Sequence, residues 1–219
     1  MNRILNASII ICFSCISLCT VAQTQIIKPD LSGKSNFNVV NRELTVVEGE
    51  GRKSVVHLNA KPNDGVAWIN DVSFKTGIIE FDVKGKDVLQ QSFVGIAFGG
   101  INDSTFDAVY FRPFNFQSPE SIRKSHSVQY VSLPKYDWFA LRQTYPDKYE
   151  NALKSTVDPG KWFHARLIVD ADHITVYVND DKEPSLKIKP ITIPATGKIG
   201  FWVGNNSDGD FKNLSIIKN

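Results

Sequence analysis

The feature that most limits how this chain can fold is a series of short runs in which apolar and polar residues alternate. In GIIEFDVKG (77–85), Ile79, Phe81 and Val83 fall on one side of an extended chain and charged residues on the other. Successive strand side chains point to opposite faces of a sheet, so each run predicts a strand with one buried face. Similar runs, separated by Gly, Asn, Asp and Pro, recur at 92–100, 162–170, 173–180, 197–204 and 210–218. With no long helical period to compete, the pattern predicts an all-β sandwich or barrel.

The N-terminal segment has the pattern of a secretory signal. Arg3 precedes an apolar run at 9–18, and Thr-Val-Ala at 20–22 fits a cleavage site after residue 22. We therefore expect a signal peptide at 1–22, a single domain at 23–219 and a periplasmic or secreted protein. A lipoprotein anchor is less favoured because Leu18, a bulky residue, precedes Cys19. The apolar run is shorter than the roughly 20 residues that span a bilayer, so the mature protein is expected to have no transmembrane segment.

Cysteine content and charge exclude several classes of function. All three cysteines lie in the signal segment, at 12, 15 and 19, so the mature chain has no disulfide and no thiol nucleophile. The 25 basic and 23 acidic residues give a net charge of +2, and no basic stripe indicates a nucleic-acid partner. The oligomeric state cannot be inferred from this sequence.

The C-terminal half carries motifs of a known superfamily. GKWFHARLIVDADHITVYVNDDKEPSL (160–186) and TGKIGFWVGNNSDGDFKNLSI (196–216), with FKTGIIEFDVKGKD (74–87), resemble the concanavalin A-like lectin/glucanase superfamily. More narrowly, they are similar to laminin-G-type and 3-keto-disaccharide hydrolase-like domains of secreted bacterial proteins. The resemblance implies a jelly roll of two curved antiparallel sheets that engages a saccharide on its concave face.

The resemblance leaves the activity open. It is compatible with saccharide binding alone or with a hydrolytic or eliminative step on a 3-keto-glycoside. A non-catalytic module for glycan or protein adhesion and an envelope protein without a ligand are the alternatives.

The stretch VYFRPFNFQ (109–117) places an arginine among aromatic residues. Alternation predicts that Phe111 is buried between the sheets, whereas Tyr110 and Arg112 share the opposite side. A guanidinium offers a planar fork of donors, so we interpret Arg112 and Tyr110 as substrate-binding residues. The alternative is a salt bridge from Arg112 to an acid such as Asp107 or Glu80.

Other polar residues extend this candidate site. Asn115 follows near the strand end, and SHSVQYVS (125–132) supplies His126 and Gln129. Amide and imidazole groups provide the paired donors and acceptors that sugar hydroxyls need. His126 and Arg112 are the catalytic candidates, since an imidazole can act as a general base; a structural role for His126 remains open. We expect no metal ligation by His126, because no partner lies at metal-ligand spacing.

Aromatic platforms complete the predicted groove. Trp68, Trp138, Trp202 and Tyr136 are candidates for stacking against the C–H faces of a sugar ring. Residues Gly95, Ala97 and Gly99 would leave a bare floor on one face of their strand, either for a ligand or for neighbouring groups that pack there.

The long segment at 133–160, which carries Tyr136 and Trp138, is expected to cover one end of the groove and to contain a short helix at 147–154.

Two motifs have simpler interpretations. Glu80 and Asp82 resemble part of a glycosidase signature, but Lys84 stands where a second glutamate is needed, so a charged, solvent-facing strand side is favoured. NNSDGD (205–210) could supply oxygen ligands to calcium, yet it lacks the spacing of an EF-hand loop and is interpreted as a polar turn. No cofactor is expected.

Overall fold

The computed structural model describes residues 25–49, 51 and 54–218; the predicted signal peptide at 1–22 lies outside them. Two antiparallel sheets pack face to face, which confirms the predicted all-β jelly-roll sandwich. The alternation seen in the sequence is reproduced strand by strand. Along 77–84, buried residues regularly alternate with partly exposed ones.

Sheet A has eight strands in the order β13-β12-β11-β6-β15-β4-β3, and β1 also pairs with β15. Its strands are β1 (Gln25–Ile27), β3 (Leu44–Glu48), β4 (Ser54–Leu58), β6 (Gly77–Lys84), β11 (Phe163–Val169), β12 (Ile174–Val178), β13 (Leu186–Ile188) and β15 (Gly209–Lys218).

Sheet B has seven strands in the order β10-β9-β8-β7-β14-β5-β2. Its strands are β2 (Phe37–Val40), β5 (Gly65–Phe74), β7 (Val94–Gly100), β8 (Phe106–Phe111), β9 (Val128–Leu133), β10 (Glu150–Asn151) and β14 (Gly197–Val203). The last two strands of the chain thus insert into the middle of the two sheets, β14 in sheet B and β15 in sheet A.

The core lies between the inner faces of the sheets and is rich in aromatic rings. Phe201 of β14 stacks on Phe211 of β15 with ring centroids 4.6 Å apart, and this contact joins the two sheets. Phe111 is fully buried, as predicted, and packs edge-to-face on Phe163 at 5.0 Å. The described residues contain no cysteine, so burial of this apolar surface supplies the main stabilisation of their fold.

Three short helices, α1 (Pro113–Phe116), α2 (Ser121–Lys124) and α3 (Trp138–Thr144), lie in the connections that flank β9. The predicted helix at 147–154 is wrong: the helix of this segment is α3, and residues 150–151 form the edge strand β10. Asp137 explains where α3 begins, because its carboxylate accepts a hydrogen bond from the amide of Ala140 at 2.7 Å. Within the described residues, no helix is long and apolar enough to cross a membrane.

Candidate active site

The candidate site lies on the outer face of sheet B, the face directed away from sheet A. Strand register places Tyr110 of β8 between Gly95 of β7 and Gln129 of β9, and Gln129 in turn pairs with Glu150 of β10. The side chains of Tyr110, Gln129 and Glu150 therefore share one face of the sheet. Arg112 follows the end of β8 and caps the start of α1.

Arg112 is buried, and its guanidinium is surrounded by hydrogen-bond acceptors. Its Nη2 donates to the hydroxyl of Tyr110 at 2.7 Å and to the side-chain oxygen of Gln129. Its Nη1 donates to the backbone oxygen of His126 at 2.9 Å and lies 3.5 Å from a carboxylate oxygen of Glu150. A buried cation is tolerated only when its charge and donors are paired, and these contacts meet that condition.

Glu150 is the centre of this arrangement, and the sequence did not identify it. Arg142 of α3 binds the carboxylate with two hydrogen bonds, Nε to Oε1 at 2.6 Å and Nη2 to Oε2 at 2.7 Å. Nδ1 of His126 lies 2.9 Å from Oε2, but the angle does not meet hydrogen-bond geometry, so this buried nitrogen is unpaired. We call this group the Glu150 cluster; it comprises Glu150, Arg112, Arg142, His126, Tyr110 and Gln129.

The electrostatics of the Glu150 cluster are unusual for a buried site. Two guanidinium groups and one carboxylate give it a net charge of +1 when His126 is neutral. Burial lowers the pKa of His126, and the nearby Glu150 carboxylate opposes that effect only in part, so the imidazole is neutral at pH 7. Burial raises the pKa of Tyr110 to about 12, which keeps its hydroxyl protonated.

A surface cavity of about 320 Å³ opens beside Glu150. Most of its lining residues are of polar type, and they come from α2 and the segment around β10: Ser121, Ile122, Ser125, Asp147, Glu150 and Asn151. This volume is at the lower end of the range for small-molecule sites and suits a ligand the size of one sugar ring.

Two acidic residues lie in loops at the ends of elements of this half of the molecule, Asp64 before β5 and Asp137 before α3. Asp64 immediately precedes β5 and remains exposed as a residue. Partial desolvation of its carboxyl group raises the pKa of that group. The positive charge of Arg42 opposes this rise in the pKa. The segment at 133–160 contributes Arg142 and Glu150 to the candidate site, where the two side chains bind each other.

The tryptophans predicted to stack on a sugar differ in their exposure to solvent. Trp138 is 47% exposed and lies under the Arg142 guanidinium, 5.2 Å from its ring centroid. Trp68 and Trp202 are only 1% and 4% exposed, so the prediction that they offer open stacking faces is wrong. Asp103 accepts a hydrogen bond from Trp68 Nε1 at 2.9 Å. Trp202 does lie opposite the core, but its ring packs against Tyr110 at 4.9 Å.

The predicted bare floor is likewise covered. Gly95 lies between Tyr110 and Trp202 in the sheet, and a Cβ there would come within 2.2 Å of the Val109 carbonyl oxygen. Ala97 is fully buried. Gly95 and Ala97 therefore accommodate neighbouring protein groups and are closed to a ligand, whereas Gly99 is partly exposed and adopts a positive φ of 62°.

The remaining candidates are placed as follows. Asn115 is buried and its Nδ2 donates to the backbone oxygen of His126 at 3.3 Å, which brings it to the cluster. Tyr136 is partly buried and forms a backbone bridge with Ser132. Neither Asp107 nor Glu80 is the counter-ion of Arg112: Asp107 bonds with Thr192, and Glu80 pairs with Arg166 on the outer face of sheet A.

The carboxylates of the 205–210 turn contact basic side chains of this chain. Asp208 pairs with Lys86 at 2.8 Å, and Asp210 pairs with Lys84 at 3.0 Å and with His57 at 2.7 Å. Among the described residues, no group of three or more His, Cys, Asp or Glu side chains is arranged to hold a metal ion.

Comparison with known proteins identifies the family. Residues 31–217 match the 3-keto-alpha-glucoside-1,2-lyase-like domain. The chain belongs to this family. No curated protein matches it in sequence.

Solved structures with the same fold confirm the jelly roll. The carbohydrate-binding module CBM66 from Bacillus subtilis superposes with a TM-score of 0.58 at 14% identity, covering 83% of this chain and 95% of the module. The VIP36 exoplasmic/lumenal domain in its Ca²⁺/Man3GlcNAc-bound form gives 0.55 at 9% identity, with 90% of each chain covered. Domain 4 of the arabinanase AbnA from Geobacillus stearothermophilus, in complex with arabinotriose, gives 0.51 at 16%, with 87% of each covered.

Proposed function

We propose that this protein binds a 3-keto-glucoside at the Glu150 cluster and cleaves it by 1,2-elimination. The family description supports the substrate and the type of reaction. The observation that carries the proposal is the net positive, largely buried cluster, in which a neutral imidazole lies 2.9 Å from the Glu150 carboxylate. The saccharide-bound forms of two similarly folded proteins support carbohydrate recognition by such a domain.

The reaction needs a base and a group that stabilises negative charge. A ketone at C3 of the sugar acidifies the hydrogen at C2. A base removes that proton, the C–H electron pair forms the C1=C2 double bond, and the C1–O bond breaks. Its electron pair leaves with the glycosidic oxygen, which takes up a proton from water. Negative charge develops on the ketone oxygen as the proton leaves, so a preorganised cation beside that oxygen lowers the barrier.

The Glu150 cluster supplies both requirements. Nδ1 of His126 is buried 2.9 Å from Oε2 of Glu150 but outside hydrogen-bond geometry. We assign Nε2 as the unprotonated base, and the lowered pKa of the imidazole keeps its neutral form populated at neutral pH. The Arg142 side chain is 31% exposed, whereas that of Arg112 is only 6% exposed. We therefore assign Arg142 as the cation that contacts the ketone oxygen. Arg112 is buried and positions the cluster through its hydrogen bonds to Tyr110 and Gln129.

The test is turnover of methyl 3-keto-α-glucoside by the purified protein, followed by the ultraviolet absorbance of the enone product. We expect His126→Gln to lower kcat/KM by about 100-fold or more, as loss of a general base does. His164→Gln is the matched control, because His164 also pairs with a carboxylate, Asp82, at 2.8 Å, but on the outer face of sheet A. Its activity should stay within about threefold of the wild type.

Binding of the ketoside without enone formation would contradict the catalytic role and favour a non-catalytic saccharide-binding module. Equal loss of activity in both histidine variants would show that position 126 has no special part in the chemistry.

We also propose that the protein is exported to the periplasm or secreted, with cleavage after Ala22. The charge, apolar run and small residues of the N-terminal segment support this. Cell fractionation and N-terminal sequencing of the native protein test it: the mature chain should begin at Gln23, and an uncleaved cytoplasmic protein would refute the proposal.

A further inference from the structure

Strand β15 of sheet A is incompletely paired along one side. Its first residues, 209–211, pair with β4, and its last residues, 216–218, pair with β1. Within the described part of the chain, residues 212–215 have no strand partner on that side. The register with β6 on the other side also shifts between Lys212 and Ser215.

The backbone in this gap has an unusual conformation. Asn213 adopts a positive φ of 55°, a left-handed conformation that Asn tolerates better than most residues. Its Nδ2 donates a hydrogen bond to Asp82, so the amide oxygen is the end of the side chain that can accept a hydrogen bond. The β-bulge is thus held in place by Asp82, a residue of the neighbouring strand.

A cavity of about 540 Å³ lies beside this bulge, on the opposite sheet from the Glu150 cluster. The segment that follows β1 forms one side of it, and strands β4, β6 and β15 contribute the rest. The lining residues are Lys28, Pro29, Asp30, Leu31, Ser54, Glu80, Asn213, Leu214 and Ser215.

The lining combines apolar surface with polar groups of both charge signs. Leu31 and Leu214 are almost fully buried and belong to the core. Pro29 is partly exposed and gives apolar surface of the kind that contacts the C–H groups of a sugar. The hydroxyls of Ser54 and Ser215 can both donate and accept hydrogen bonds.

The charges of the lining do not select an ionic ligand. Glu80 is paired with Arg166 at 3.1 Å, and Lys28 and Asp30 contribute opposite charges. No sign of charge dominates, so the site suits a neutral ligand rich in hydroxyl groups.

We propose that this cavity is a second saccharide site, which takes one neutral sugar ring. The volume lies within the range of small-ligand sites. Because β1 and β4 close both ends of the gap in the sheet, a compact ring fits the space better than an extended peptide does. This site does not depend on the proposed reaction and would exist equally in a protein without catalytic activity.

The test uses ¹⁵N-labelled full-length protein titrated with methyl α-glucoside and followed by amide chemical shifts. We expect saturable shifts at Ser54, Asn213 and Ser215. Ser215→Trp, which fills the cavity, should weaken binding at these amides by at least tenfold. The control Thr45→Trp places the same ring at an exposed position of β3 in the same sheet and should leave binding unchanged. Methyl α-glucuronide should bind more weakly than the neutral glucoside.

Persistence of these shifts in His126→Gln separates the second site from the Glu150 cluster. The proposal is overturned if methyl α-glucoside leaves the amides around Asn213 unshifted, if Ser215→Trp binds it as well as Thr45→Trp does, or if the shifts disappear in His126→Gln. A folded Ser215→Trp variant is verified by the unchanged shifts of sheet B.

Discussion

Removing the charge of Glu150 should destabilise the protein more than removing any exposed carboxylate. The Glu150 and Arg112 side chains are only 3% and 6% exposed, so water screens their interaction weakly. Glu150→Gln leaves Arg112 buried without its counter-ion, a change that typically costs about 3–5 kcal/mol. Arg142, at 31% exposed, can turn its charge toward solvent and adds less to the loss. The cost is a large part of a total stability of about 5–15 kcal/mol.

Urea denaturation followed by circular dichroism at pH 7 measures this effect. Glu80→Gln is the matched control, because Glu80 also pairs with an arginine but both side chains are about one-third exposed. The control should lose about 0–1 kcal/mol, as surface ion pairs do. A loss below about 1 kcal/mol for Glu150→Gln, or equal losses in the two variants, would refute the account of Glu150 as a buried counter-ion.

Three further predictions concern the core and the pH dependence. Phe111→Ala should cost about 3–5 kcal/mol in the same urea assay, because Phe111 is fully buried against Phe163; a loss below about 1 kcal/mol would contradict its place in the core. Burial raises the pKa of Asp107 above 3.8, so the folded protein binds this proton more tightly than the unfolded chain, and that stabilisation is lost as pH rises through the folded pKa. Asp107→Asn should therefore raise the melting temperature at neutral pH but hardly at all below the unfolded pKa; a shift independent of pH would contradict this. Finally, kcat/KM should fall at acidic pH as His126 becomes protonated, with a midpoint below 6.5 because burial lowers the pKa of His126. The Glu150 carboxylate raises this pKa, so Glu150→Gln should move the acidic fall of kcat/KM to lower pH. An unchanged midpoint would show that another group titrates.

The local alternation of apolar and polar residues was sufficient to predict most of the fold. Alternation placed Phe111 inside and Tyr110 outside, since period-two alternation is a property of the strand itself. Asn179, in the turn after β12, adopts a φ of 53°, a left-handed conformation that Asn tolerates better than most residues. The helix in 133–160 was misplaced because the two-residue strand β10 exists only through its pairing with β9, a long-range contact that no local pattern reveals.

The site was predicted less completely. The position of Arg112 within an aromatic run indicated a cation that needs a counter-ion. Glu150, which supplies it, lies 38 positions away along the chain, in a segment without a regular hydrophobic period. Asp107 and Glu80, which are nearer or on recognisable strands, were the acids that the sequence offered. Trp68 and Trp202 were misjudged for a related reason: an outward-facing strand residue can still be covered, by Asp103 in one case and by Tyr110 in the other.

Exchange of the C2 hydrogen in a substrate analogue tests the central claim most directly. 1,5-Anhydro-3-keto-glucitol has no glycosidic oxygen at C1, so no aglycone can be eliminated, but the base can still remove the C2 proton. Proton NMR in D₂O follows the loss of this signal. We predict that the wild-type protein and His164→Gln exchange the C2 hydrogen well above the rate in buffer, and that His126→Gln is slower by about 100-fold or more. Exchange at the wild-type rate in His126→Gln, or no exchange above buffer in the wild type, would contradict the assignment of the Glu150 cluster as the active site.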